Sequence, residues 1–182
     1  MVFTELLEMI EDKLSPELAD AVLRDAAPGH GGAYTAVGYY PHVELLALVA
    51  ALSRRTEQPA AELVRGFGQH LLGRFVVMFP QMFARERDLF DFLASIHGHI
   101  HVEVHKLYRH AKLPTFEVLS RDARCMRLRY QSPRAMEALA LGLIEGAAEH
   151  YGERCQVSWV PWSGPADVHG AVFEIVRLDV DV

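Results

Sequence analysis

Apolar residues recur at helical spacing through roughly the first 112 positions of the chain. Phe3, Leu6, Leu7, Ile10 and Leu14 fall on one face of a first helix. Ser15-Pro16-Glu17 sets an N-cap before a first-turn proline and opens a second. Pro28-Gly29-His30-Gly31-Gly32 reads as a loop, because proline and clustered glycine punctuate regular structure. Pro41 opens a third helix carrying Leu45, Leu46, Leu48, Val49 and Leu52. Pro59 opens a fourth, carrying Leu63, Val64, Phe67, Leu71, Leu72 and Phe75, and Pro80 ends it. A long helix is expected from about Glu86 to His110, with Pro114 stopping it.

The period then changes from helical to two. Met126, Leu128 and Tyr130 alternate with Arg127, Arg129 and Gln131, the pattern of a half-buried strand, and Phe116 to Leu119 is its expected partner. Pro133 to Tyr151 reads as helix, with Met136, Leu139, Leu143 and Ile144 inward. Gln156 to Trp162 and Ala171 to Val180 read as two closing strands. The order is helices followed by ββαββ, which predicts an α+β fold with a mostly antiparallel sheet. One domain is expected over 1–182, with a helical part at about 1–112 and an α/β part at about 113–182.

Composition narrows the function class. With 51% hydrophobic and 23% charged residues the chain is ordinary globular protein, not disordered. A formal charge of −6 without a Lys/Arg block argues against nucleic acid as a partner. Cys125 and Cys155 form no C-x-x-C pair, so neither a disulfide scaffold nor thiol redox chemistry is expected. Glu5 and Glu8 interrupt the N-terminus early and no basic run precedes them, so no signal peptide is expected. Apolar runs fall short of the roughly 18 residues of a membrane span. The expectation is a soluble cytoplasmic protein that does not engage a membrane.

Four of the ten histidines crowd the segment His97-Gly98-His99-Ile100-His101-Val102-Glu103-Val104-His105. On a helix His97, His101 and His105 share a face while His99 points elsewhere. Such a stripe is either a wet or hydrogen-bonded helix face, or a set from which a metal or heme iron draws its ligand. Glu103 stands in the wrong register for a His-Glu-x-x-His zinc protease. A second candidate is Tyr130-Gln131-Ser132-Pro133-Arg134, at the end of the strand. Residues two apart in an extended segment face one way, so Tyr130, Ser132 and Arg134 can aim three donors at one carboxylate or phosphate. Ser132-Pro133 is equally a plain helix start, with Ser132 as N-cap.

Taken together, His101, Pro114 and the Tyr-x-Ser-x-Arg triplet from Tyr130 resemble the heme-nitric oxide/oxygen binding (H-NOX) family. The likeness extends over nearly the whole chain and includes Glu44-Leu45-Leu46-Ala47-Leu48-Val49, Val64-Arg65-Gly66-Phe67-Gly68, Leu107-Tyr108, Leu113-Pro114 and Gly142-Leu143-Ile144-Glu145-Gly146. The family includes bacterial gas sensors and the heme domain of soluble guanylate cyclase. The resemblance implies heme b as cofactor, with His101 as axial ligand because Tyr108 matches the family tyrosine about two turns later. It implies that Tyr130, Ser132 and Arg134 hold the heme propionates and that Pro114 presses on the porphyrin.

Oxygen-binding members place a tyrosine in the distal pocket, and the matching position here is Leu139. The expected distal lining is otherwise Leu6, Leu72, Phe75 and Leu143, all apolar, with His70 the nearest polar residue in sequence on the N-terminal side. The cysteine-rich zinc site of some members is missing. Where some members pair an acid with the triplet arginine this chain has His42, leaving Glu44 as the substitute partner for Arg134. The resemblance thus implies a sensor, not an enzyme. It would bind nitric oxide, with carbon monoxide a second candidate, and signal to a separate histidine kinase or cyclic-di-GMP enzyme. Two rivals stay open: a heme or histidine-metal enzyme, and an anion-binding module without heme.

Overall fold

The computed structural model describes residues 1–109, 111–164 and 168–178. Four helices come first: α1 (Val2–Lys13), α2 (Pro16–Ala26), α3 (His42–Thr56) and α4 (Ala60–Met78). Their starts follow the local chemistry. The Ser15 hydroxyl accepts from the Leu18 amide at 3.1 Å, ahead of Pro16 in the first turn of α2. Pro41 and Pro59, held at φ −59 and −58, stand immediately before α3 and α4. One expectation shifts here. Leu14 does not join the buried face of α1 but caps its end and is 49% exposed, while Met9 is buried in its place.

The expected single helix from Glu86 to His110 is three pieces: α5 (Leu89–Ser95), a π-helical turn (Ile96–Ile100) and α6 (His101–Leu107). It starts at Leu89 because Asp88 caps it, accepting from the Asp91 amide at 2.8 Å. The Glu153 carboxylate also takes the Leu89 amide at 2.8 Å. Glu153 in turn holds Arg177 at 2.6 Å, and the Arg177 guanidinium lies 3.9 Å over the Phe90 ring. α6 ends at Leu107, so Pro114 does not stop it directly; Pro114 instead immediately precedes the first strand. His110 lies outside the described residues.

Four strands, β1 (Thr115–Arg121), β2 (Cys125–Ser132), β3 (Cys155–Ser163) and β4 (His169–Arg177), form an antiparallel sheet in the order β1-β2-β4-β3. Val180, expected in the last strand, falls outside the described residues. The final helix, α7, spans Glu137–His150. It begins four residues later than the pattern predicts, because Ser132 still belongs to β2 and its hydroxyl accepts from the Arg134 amide at 3.1 Å. That is a turn, not a helix cap.

Two hydrophobic cores result. One lies among α1 to α4, around Leu6, Ile10, Leu48, Leu52 and Phe67. The other lies between the sheet, α5 and α7, around Phe90, Leu93, Leu128, Phe173 and Ile144. The two meet along α4 and α7. A Cβ on Gly142 would stand 1.9 Å from the Arg65 carbonyl oxygen, and one on Gly68 2.6 Å from that of Leu139. Bare glycine backbone on both sides therefore permits the approach. Glu145 ties the same seam, accepting from Arg65 at 2.6 and 2.8 Å and from Gln69 at 2.8 Å.

Candidate functional site

The first residue of α6, His101, is set by the π turn before it, whose closing bond runs from the His101 amide to the Ile96 carbonyl. The extra residue in that turn changes which way the histidines face. His97 and His105 are exposed and His101 is half-buried, so the stripe does not present three equivalent rings. His99 turns aside, its Nε2 3.3 Å from Arg85. Burial pushes the His101 imidazole down to about 4, and His97 and His105 add to the effect, while a hydrogen bond to the Pro114 backbone opposes it. His101 is therefore neutral near pH 7. A neutral imidazole carries a lone pair on one of its two ring nitrogens, which can go to a metal.

Among the described residues no three His, Cys, Asp or Glu side chains converge on a point that a metal ion could occupy. A single imidazole is a poor site for a bare ion but sufficient for iron whose other ligands come from a porphyrin. The donor set thus fits heme better than a histidine-bound metal.

β2 turns Met126, Leu128, Tyr130 and Ser132 inward, as the alternation predicts. Tyr130 and Ser132 are buried and adjacent on one face. Burial raises the Tyr130 hydroxyl above its ordinary range, against a hydrogen bond with Ser132 and the charge of Arg134. Arg134 follows the strand in a bend, half-buried. The structure thus brings Tyr130, Ser132 and Arg134 to one end of β2. Glu44 does not serve Arg134: it accepts from the Tyr34 hydroxyl at 3.0 Å and sits 2.9 Å from His30. Among the described residues no acid pairs with Arg134.

Phe116, on β1, packs between the two candidate groups. Its ring centroid is 5.9 Å from that of His101 and 5.4 Å from that of Tyr130. Sequence reasoning places Phe116 only in a strand. The signal that could have found it is its position two residues after Pro114, opposite Tyr130 in the β1–β2 register.

Of the apolar lining, Leu6 and Leu72 are buried. Leu139 packs on the helical core, while Phe75 and Leu143 touch both cores. His70 lies about 200° around α4 from Leu72 and about 140° from Phe75, at 100° per residue. Its Nε2 is buried without a hydrogen bond and stands 3.7 Å from Glu5, which Arg74 holds at 2.6 Å. His70 therefore faces α1, away from the Leu72 and Phe75 side.

The Haem-NO-binding family profile matches residues 1–159. The chain is an H-NOX family member. Among solved structures, the Fe(II) unliganded H-NOX protein from K. algicida is 31% identical with a TM-score of 0.90, covering 98% of this chain and 96% of that one. The IWP-051-bound H-NOX from Shewanella woodyi, in the Fe(II)CO state, is 39% identical with a TM-score of 0.82, covering 98% and 94%. An S. oneidensis H-NOX protein is 26% identical with a TM-score of 0.88, covering 99% and 96%. No curated protein matches. H-NOX domains bind heme and are sensor modules rather than enzymes, and the α+β architecture here is theirs. No helix among the described residues is long and apolar enough to cross a membrane.

Proposed function

We propose that this H-NOX chain is a single two-part sensor domain whose heme is held by His101 and gripped through its propionates by Tyr130, Ser132 and Arg134. The observation that carries the reading is the His101 ring: half-buried, kept neutral by burial, packed at 5.9 Å from the Phe116 ring, and with a lone pair to offer a metal. When bound, heme supplies an iron that takes a diatomic gas. Tyr130 and Ser132 present buried hydroxyls, and Arg134 a cation, suited to a carboxylate. Pro114, immediately before β1, is the residue assigned to press on the porphyrin, as the family resemblance implies.

The gas is nitric oxide, with carbon monoxide a second ligand. Leu6, Leu72, Phe75, Leu139 and Leu143 offer no hydrogen-bond donor, and His70 faces Glu5. Oxygen retention at ferrous heme gains from such a donor, whereas nitric oxide depends on one far less. A missing bond of roughly 1–2 kcal/mol lowers affinity on the order of tenfold. The loss falls mainly on residence time.

Output depends on α6. α5 is fastened by Asp88, Glu153 and Arg177, whereas α6 follows a π turn in which no residue is buried. If His101 held the heme, its release would leave α6 free to move on that turn, and so would supply the two-state element that coupling requires. The recipient is a separate cytoplasmic protein, a histidine kinase or cyclic-di-GMP enzyme.

The test is to load the protein with heme, reduce it, titrate it with nitric oxide and, separately, expose it to air. The reading expects a spectral shift with nitric oxide and no oxygen-bound spectrum. A stable oxygen-bound spectrum in air overturns the selectivity, and failure to retain heme overturns the reading itself.

A further inference from the structure

We infer that Phe116 is the positioning residue for the axial ligand: it fixes the rotational setting of the His101 ring and couples that setting to the Tyr130 end of the propionate grip. The inference rests on the heme-ligation reading above and goes beyond it.

The geometry is specific. The His101 and Phe116 rings meet at 5.9 Å with planes 54° apart, and the Phe116 and Tyr130 rings at 5.4 Å and 56°. Both are tilted contacts within the range of favourable aromatic pairs. Tyr130 continues the series to Phe173 at 6.3 Å, and Phe173 is fully buried at the centre of the sheet's core. A line of rings therefore runs from His101 into rigid core.

The Pro114 backbone lies beside the His101 ring, but the ring is tethered to α6 through Cβ and can still turn about its Cβ–Cγ bond. Phe116 comes from the same short segment and packs against the ring, which removes that freedom. The two restraints arise two residues apart, so they move together if the start of β1 moves. Tyr130 stands directly opposite Phe116 in the β1–β2 register, so one side chain contacts both the ligand and the grip. No other ring contact to His101 occurs among the described residues.

Phe116 touches neither gas nor donates a bond. Its effect acts through His101, and the strength of an iron–imidazole bond depends on how that ring is oriented and supported. A smaller aliphatic residue would keep burial but lose the planar contact, leaving the imidazole in several settings.

The experiment uses the full chain with Phe116→Leu and, as the conservative variant, Phe116→Tyr, each heme-loaded and reduced without gas. Resonance Raman spectroscopy reads the iron–histidine stretch. The expected result is one band in the parent, absent in His101→Gly, broadened or displaced in Phe116→Leu and restored in Phe116→Tyr. A band abolished in His101→Gly but unaltered in Phe116→Leu overturns the inference and leaves the heme reading standing. A band that survives His101→Gly overturns both. Should Phe116→Leu fail to hold heme, proton NMR of the heme-free chains decides. Ring protons of His101 that shift in Phe116→Leu, with the Leu128 and Phe173 signals unmoved, support the inference; His101 signals that stay in place overturn it.

Discussion

Gly142→Ala tests the seam that brings the two cores together. The added methyl would sit 1.9 Å from the Arg65 carbonyl oxygen, 2.8 Å from its carbon and 3.0 Å from Gly68 Cα. Ordinary contact begins near 3.4 Å, so α4 and α7 must part by about 1.5 Å at this point. All three obstacles are backbone, so no side chain can turn away to relieve them. Overpacking costs roughly 1–3 kcal/mol, and rigid neighbours place this case near the upper end. Alanine recovers about 1 kcal/mol of helix propensity. The net loss is about 2 kcal/mol, or roughly 4–8 °C in Tm for a chain of this size. Gly73→Ala is the control, because nothing lies within 4 Å of its Cβ position. It should gain about 1 kcal/mol from propensity alone. The assay is urea and thermal unfolding of the heme-free variants followed by circular dichroism. If Gly142→Ala is as stable as Gly73→Ala, the close-packed seam is not what joins the cores.

Three further outcomes are expected. Arg74→Met should lower stability, since it takes the guanidinium away from the buried Glu5 carboxylate, and adding Glu5→Leu should recover much of the loss in urea midpoints. Arg134→Ala should speed heme loss to a scavenger more than Ser132→Ala, because a charge-assisted bond contributes roughly 1.5–3 kcal/mol against about 1 for a neutral one; equal rates would reject the ordering. In the heme-free chain His101 titrates at about 4 folded and 6.5 unfolded, so between those values the unfolded state binds more protons. Stability should fall as pH drops from 6.5 toward 4, and His101→Gln should flatten that part of the curve.

Much of the fold was legible because periodicity reports burial. The alternation of Met126, Leu128 and Tyr130 with Arg127 and Arg129 gave the β2 faces correctly, and the prolines before α3 and α4 marked both starts. The π turn was not legible, because spacing rules assume 3.6 residues per turn and the local sequence does not announce an extra one. For that reason the histidine stripe looked uniform, although only His101 turns inward. Arg134 and Ser132 were expected at a helix start, yet strand pairing with β4 carries β2 through Ser132 and delays α7. The Arg74–Glu5–His70 group depends on contacts between distant segments, which no local pattern encodes.

The central claim, that His101 holds the heme, is tested most directly by absorption spectra of heme-reconstituted His101→Gly with and without imidazole, beside His97→Gly and His105→Gly. The account predicts that His101→Gly retains heme only when imidazole is supplied, while the other two variants keep the parent spectrum. Heme retained by His101→Gly alone, but lost from His105→Gly, would contradict it.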